Sequence, residues 1–304
     1  MDLNYFKKIR ILDAGMGQEL LARGLITKGT LWSATSLIDE KFNSLVVDTH
    51  LSSIRAGADV ILTNTFTTRR VRMVQNQVGD LFQFANQKAC ELAIKARELS
   101  KKNILIAGSL PAQNDTYQAD KRDQNIIEKD FFDQASIINP YIDFFYLDVI
   151  SSGREVEVAL NVIDKLNKPV LVGLHLKKNG MLPSGETITE IVKKYKNTKW
   201  LGVVSACVSL EIIEQTVDEL KSLDIPFGFK ANLWAVEEPL PVHRFNTAGY
   251  NEIGKNPNIT LGKREITGKV FCQFAKKISK KGATILGGCC ETDSSHIKEL
   301  SKLK

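Results

Sequence analysis

This chain is short of several features that would each assign it to a different class. No apolar run approaches the ~20 residues that span a bilayer, so no membrane association is expected. The opening Met1-Asp2-Leu3-Asn4-Tyr5-Phe6-Lys7-Lys8 has neither the apolar centre nor the cleavage site of a secretory signal. With no such signal, five cysteines in 304 residues fit a reducing cytoplasm rather than a disulfide framework. The glycine-rich fingerprint of a dinucleotide-binding fold is absent. The net charge of +6 comes from Lys and Glu interleaved on helix faces. It forms no basic-aromatic stripe, so a nucleic-acid partner is not expected. What remains is 43% hydrophobic and 25% charged, the composition of a globular protein with a substantial core.

Within that composition, short apolar runs rich in β-branched residues recur, each followed by a loop and a helical pattern. The runs predict strands near 9–14, 58–63, 103–109, 142–149, 169–175, 200–206, 226–232 and 283–288. Amphipathic stretches lie between them, for example Leu81, Ala85, Ala89, Leu92, Ala96, Leu99 and Leu210, Ile213, Val217, Leu220. Strands that alternate with helices form a parallel sheet, and eight units close into a (β/α)8 TIM barrel. The expectation is one domain over 1–304. Turns from helix to strand look short, whereas the loops 15–43, 110–124 and 233–260 that follow strands are long. Long loops gathered at one end of a barrel mark the C-terminal face of the strands as the functional one.

Two apolar runs end in cysteine at that face. Ala283-Thr284-Ile285-Leu286-Gly287-Gly288 leads into Cys289-Cys290, and Trp200-Leu201-Gly202-Val203-Val204-Ser205-Ala206 leads into Cys207. A disulfide between neighbours is awkward, because adjacent Cα atoms lie ~3.8 Å apart and ordinary disulfides want ~4.4 Å or more. Buried, inert thiols are the common alternative. Three thiols at one end of parallel strands would instead supply three metal ligands and leave a fourth position open, the arrangement of a catalytic zinc site. Cys90 and Cys272 fall inside helical patterns and read as packing residues.

Other strand ends add polar groups to the ring: Asp13, Thr63-Asn64-Thr65 and Asp148. Two carboxylates at a barrel mouth suit a substrate ammonium group, and capping of the following helix is the plainer reading of each. Of the four histidines, His50 reads as a packing or hydrogen-bonding residue. His175 ends the fifth strand and is a candidate pocket residue or proton shuttle. His243 belongs to the seventh loop and His296 to the last helix. Lys230 is the one lysine near a strand end where a Schiff-base lyase would place it.

Together, Leu12-Asp13-Ala14-Gly15-Met16-Gly17, Leu31-Trp32-Ser33-Ala34, His50 before Arg55-Ala56-Gly57-Ala58-Asp59, and Thr63-Asn64-Thr65-Phe66 form a pattern. It continues through Ala107-Gly108-Ser109-Leu110-Pro111, Cys207, and Gly287-Gly288-Cys289-Cys290 with His296-Ile297 behind. Over nearly its full length the chain resembles the homocysteine S-methyltransferase family. The resemblance implies a zinc-dependent barrel that methylates the thiol of homocysteine to give methionine, with Cys207, Cys289 and Cys290 as ligands of Zn2+. It also implies substrate contacts at Asp13, Asn64, Thr65 and Asp148. Zinc deprotonates a bound thiol outright, so the acceptor sulfur would be nucleophilic at neutral pH.

Four positions depart from the family pattern. Ala14 stands in the usual Asp-Gly-Gly, Asp148-Val149 replaces Glu-Thr, Ala206 replaces the Asn before the first cysteine, and Glu291 stands where glycine is frequent. The metal site therefore reads as intact and the amino-acid pocket as altered.

With the barrel using up the chain, no attached corrinoid or folate domain is expected. That favours a small donor: S-methylmethionine, S-adenosylmethionine or a betaine. Trp32 and the residues Trp234, Glu237, Glu238, His243, Arg244, Phe245 and Tyr250 of loop 233–260 are the expected cage for a methyl cation. The partners expected are small-molecule substrates, with the chain a monomer or small homo-oligomer. Two readings stand beside this one: a relative that methylates another thiol or a selenol, and a non-catalytic zinc-binding barrel.

Overall fold

Residues buried on both faces become the continuous apolar strands of a covered parallel sheet, and here they do so eight times. The computed structural model describes residues 2–304. Its strands are β1 (Arg10–Ile11), β2 (Val60–Leu62), β3 (Leu105–Pro111), β4 (Phe144–Ile150), β5 (Val170–Leu174), β6 (Trp200–Val208), β7 (Phe227–Ala231) and β8 (Ile285–Gly288). All adjacent pairs are parallel, in the order β1-β8-β7-β6-β5-β4-β3-β2. The barrel is nearly closed. β1 and β2 meet through the single bridge Leu12–Val60 and through Asp59 N–H donating to the Ile11 carbonyl at 2.7 Å. This seam is why the strand expected over 9–14 is regular only at 10–11.

Two apolar layers follow from the alternation of side chains along each strand. Phe145, Leu147, Val172 and Val203 face the surrounding helices, whereas Leu12, Val60, Phe144, Tyr146 and Leu201 fill the barrel interior. The amphipathic patterns hold at their centres: Ala85, Ala89, Leu92 and Ala96 are buried in the helix Phe82–Ser100, while Leu99 at its end is exposed. The long loops carry structure of their own, with helices Met16–Ala22 and Thr35–Ile38 in the first and Asn258–Leu261 in the seventh.

The N-terminal end of the barrel is plugged from outside the sheet. Phe6 is fully buried and packs edge-on against Phe144, ring centres 5.8 Å apart. Its carbonyl accepts from Thr284 Oγ1 at 2.6 Å, just before β8 begins. Truncating a buried phenylalanine costs about 3–5 kcal/mol. Phe6→Ala should lower unfolding stability in urea by that amount while leaving metal content unchanged, because the plug and the thiols lie at opposite ends.

Candidate active site

Strict alternation along β6 would send Val204 and Ala206 inward and Cys207 outward. The register instead shifts between Ala206 and Val208, and Cys207 takes a left-handed backbone, φ 54°. This bulge turns Cys207 into the interior beside Ala206 and sends Val208 out to the helix layer. β4 repeats the device: a register shift between Leu147 and Ile150, with Val149 at φ 62°, brings Asp148 and Val149 in one after the other. A β-branched residue at positive φ is an outlier that costs of order 1–3 kcal/mol. Bulges beside a site re-aim side chains at such a cost.

After β8 the chain is held so that both cysteines reach the same space. Cys289 N–H donates to the Ala231 carbonyl at 2.7 Å, the Cys290 carbonyl accepts from Leu233 N–H at 3.0 Å, and Thr292 Oγ1 donates to the Cys289 carbonyl at 2.7 Å. Gly15 is the close approach that lets the first loop pass, since a β-carbon there would overlap the Cys289 carbonyl. The family glycine kept at this position is the one for which no side chain fits. Glu291, the residue that departs from a frequent glycine, sits at φ 63° and is buried, with one carboxylate oxygen on Gln18 and the other 3.7 Å from Lys263.

The three sulfurs converge. Cys207 Sγ lies 3.9 Å and Cys289 Sγ 4.0 Å from Cys290 Sγ, all three lie within 4.8 Å of one another, and none is in a disulfide. A tetrahedral ion with Zn–S bonds of ~2.3 Å sets edges of roughly 3.8 Å. The cluster can therefore hold a metal with little adjustment. Burial alone would raise the Cys207 thiol, but hydrogen bonds from Cys289, Cys290 and Tyr117 outweigh it and hold that thiol well below its ordinary value. Sharing its hydrogen with Cys207 holds Cys290 up, and burial adds to the effect. The trio thus favours one thiolate even before a cation adds its field.

Residues beyond the expected set contact this thiolate. The Tyr117 hydroxyl is 3.1 Å from Cys207 Sγ, and its ring stacks at 4.6 Å on His175. Asn232 donates to the Cys207 carbonyl at 2.7 Å and lies 3.8 Å from its sulfur. An amide thus stands over Cys207 although Ala206 offers none. Asn232 follows Lys230-Ala231 at the end of β7; it is not among the contacts expected from the sequence, although that strand-end position is the signal that could have found it. Tyr117, within loop 110–124, carried no such signal.

The expected polar contacts divide into two groups. Asp148, Asn64 and Asp13 line the cavity over the thiols. Asp148 accepts from Ser109 Oγ at 2.7 Å through Oδ2. Burial, with the nearby Cys289 charge, pushes its carboxyl up to about 7. Asn64 is tied to the Ser33 carbonyl and Ser36 Oγ, both at 3.2 Å. Asp13 already has partners on both oxygens: Leu62 N–H at 2.7 Å and the Lys230 ammonium at 2.8 Å, with both side chains of the ion pair buried. Thr65 does not line the cavity. It is fully buried, and its hydroxyl donates to the Ser109 carbonyl at 2.5 Å.

Among the histidines, His175 is outside the cavity lining, and burial pulls it down to about 4. It is neutral near pH 7 and supports the Tyr117 ring. His50 is likewise buried and held down at about 4 by desolvation, with neither ring nitrogen hydrogen-bonded.

Three of the eight residues expected in the cation cage line the cavity. Trp32, Trp234 and Phe245 line the cavity, joined by Phe66 and Tyr117. The acids of loop 233–260 do not. Glu237 and Glu238 are drawn to Lys178 and Lys177 outside the mouth, at 2.8 and 3.9 Å. His243 pairs with Asp115 at 2.5 Å and, with Tyr250, lines a separate outer cavity, while Arg244 lines neither.

Burial would lower Lys230, but Asp13 and the other nearby charges hold it above the usual lysine range. Its stabilisation is therefore present throughout neutral pH and is lost only as the pH climbs past that range. An ammonium so held is no Schiff-base nucleophile. Removing one partner of a buried ion pair costs about 3–5 kcal/mol. Asp13→Asn and Lys230→Met should each lower urea stability by about that much. The double variant should be clearly more stable than the sum of the two losses predicts.

Comparison with known proteins accords with this geometry. Residues 10–303 match the model of the family described as homocysteine S-methyltransferase. Homocysteine S-methyltransferase 2 of Saccharomyces cerevisiae is 23% identical, over 97% of this chain and 94% of its own length. Betaine–homocysteine S-methyltransferase 1 of Danio rerio is 26% identical, over 97% of this chain and 72% of its own. The metallated crystal structure of the Escherichia coli homocysteine methyltransferase MmuM has the same fold, with a TM-score of 0.77 at 19% identity, covering 98% of this chain and 96% of that one. The chain therefore belongs to the homocysteine S-methyltransferase family and is an enzyme of the methyltransferase class.

Proposed function

We propose that this protein is a zinc-dependent methyltransferase that moves a methyl group from a small onium donor to the thiol of homocysteine, giving methionine. The observation that carries this reading is the convergence of Cys207, Cys289 and Cys290 in a cavity that is also lined by the Asp148 carboxyl and by several aromatic rings. Bound by the three sulfurs, zinc supplies the Lewis acidity that keeps an incoming thiol deprotonated at neutral pH. Tyr117 and Asn232 fix Cys207, and so the direction the fourth position faces.

Asp148 is the acceptor's ammonium partner in this reading. Its Oδ1 has no protein hydrogen bond, whereas both oxygens of Asp13 are engaged. Asp13 then acts through the wall it holds together, and Asn64 presents a fixed amide edge to the amino acid. Trp32, Phe66, Tyr117, Trp234 and Phe245 exclude water and offer π faces to the donor's methyl cation, worth roughly 0.5–2 kcal/mol per ring. S-Methylmethionine, S-adenosylmethionine and a betaine are the candidate donors. The relatives' names include both betaine and S-methylmethionine as donors. Five unpaired cysteines suit a reducing cytoplasm, and among the described residues no helix is long and apolar enough to cross a membrane.

Metal analysis of the purified protein should find one zinc per chain. Cys289→Ala should lose it together with methyl transfer while keeping its far-ultraviolet circular dichroism. Full stoichiometric zinc in that variant would sink the assignment. Asp148→Asn removes a charged hydrogen-bond acceptor, worth about 1.5–3 kcal/mol. Its KM for homocysteine should rise roughly 10- to 100-fold with zinc content unchanged. An unchanged KM would leave Asp148 with a purely structural role, and a different preferred acceptor for Asp148→Glu would show that the short acid selects another thiol.

A further inference from the structure

Five residues beyond Asn64, on the short helix that follows β2, the cavity wall carries two buried cations. Arg69 is 1% exposed and Arg72 5% exposed, and both line the cavity above the thiols. Arg69 is partly committed. Its Nη atoms donate to the Ala112 carbonyl at 2.7 Å and to Thr116 Oγ1 at 3.1 Å, its plane lies 5.5 Å from the Phe66 ring centre, and its Nε has no acceptor. Arg72 is not committed at all: among the described residues its guanidinium has neither a hydrogen-bond acceptor nor a carboxylate within 4 Å. The nearest acid whose field it feels is Asp115, and that carboxylate is taken by His243, Gln118 and the Thr116 N–H.

Buried arginines are almost never left unpaired, because an isolated buried charge is costly. Burial pulls both guanidinium groups below their ordinary range, and each is further disfavoured by the positive charge of its neighbours or only weakly offset by Asp115. Among the described residues, the indole N–H groups of Trp32 and Trp234 on the same wall are also buried without a partner, as are the amide oxygens of Gln18 and Asn246. Two buried guanidinium groups with no carboxylate paired to them are complementary to an anion, and the guanidinium fork suits carboxylate and phosphate oxygens. Its place in the fold says which substrate brings that anion. Arg72 is shared between the inner cavity and the outer polar cavity, so it stands at the mouth, whereas the acceptor's polar groups belong to Asp148 and Asn64 on the inner wall.

We propose that Arg69 and Arg72 form an anion-binding subsite that receives a carboxylate or phosphate carried by the methyl donor. The proposal rests on the methyl-donor reading above and assigns residues to the anionic end of the donor, since each of the three candidate donors carries a carboxylate. The donor is an onium compound with an anionic group: the methyl cation lies against the aromatic faces, and the anion reaches outward to Arg72. A simple cationic donor without an anion leaves the two arginines unpaired.

Calorimetric titration of the zinc-loaded protein with three related probes tests this without turnover. Glycine betaine carries a carboxylate, phosphocholine a phosphate, and choline the same trimethylammonium head without an anion. At least one of the first two should bind ten-fold or more tightly than choline, and which one does so identifies the anion. Arg72→Gln should abolish that difference while leaving choline binding unchanged, and Arg72→Lys should restore part of it. Equal binding of all three probes overturns the proposal. So does no binding by either anionic probe, or an Arg72→Gln variant whose only change is weaker homocysteine binding. Anion-selective binding without methyl transfer would leave the subsite standing and refute the donor reading instead.

Discussion

Asp13, two residues beyond β1, ties β2, β7 and β8 together through its carboxylate and its carbonyl, at the point where the barrel is weakest. β1 has only two regular residues and meets β2 through one bridge. Across this seam Asp13 Oδ2 accepts from Leu62 in β2 and Oδ1 holds Lys230 of β7, while its own carbonyl accepts from Gly288 N–H of β8 at 3.1 Å and from Lys230 at 3.2 Å. Backbone pairing that a longer β1 would supply is here replaced by one side chain. Such an arrangement is stable only when every member is satisfied, since a lone charge in this interior would face the full cost of desolvation. The loop carrying Cys289 and Cys290 begins at Gly288, one of those partners. The position of the thiols therefore depends on an ion pair that touches none of them.

Around that fixed seam, the site is built from irregular backbone. Three residues at its edge, Val149, Cys207 and Glu291, take left-handed conformations that their side chains disfavour. At Val149 and Cys207 the return is geometric: a bulged strand presents two successive inward side chains where a regular one presents one. A barrel interior has limited width, and doubling the inward residues at β4 and β6 brings a carboxyl and a thiol into one cavity without longer strands. Glu291 is different. Its strain is offset by Gln18 and Lys263 rather than by any group reaching the cavity centre.

The cavity itself is chemically divided. Its lining brings together three thiols, the carboxyl and amide of Asp148 and Asn64, several aromatic rings, and the guanidinium groups of Arg69 and Arg72. In the proposed reaction, methyl transfer between sulfur and an onium centre moves charge without releasing a proton from the donor. A site for it needs orientation and dryness more than a general base, which is why no titrating histidine stands there. His175 is present but neutral, and it serves as a platform for the Tyr117 ring.

The residue pattern alone determined the eight-fold alternation of strand and helix, since strands covered on both faces must be apolar throughout and helices covered on one face only in stripes. It also determined the three thiols, because cysteine closing two apolar runs at the same end of a parallel sheet has few other uses. Asp148 and Asn64 were legible for the same reason. What only the tertiary structure decided are the facts that depend on distant partners. Asp13 reads in the sequence as a strand-end carboxylate, and only the packed structure sets Lys230, 217 positions away, against it. Glu237 and Glu238 looked like cation ligands until Lys177 and Lys178 drew them outward. Thr65 reads like its neighbour Asn64, yet alternation of side chains turns it from the cavity. Arg69 and Arg72 have the composition of a solvated helix, and nothing in their neighbours announces burial. A sequence records which groups are available; which of them are left without a partner is settled only when the whole chain has packed.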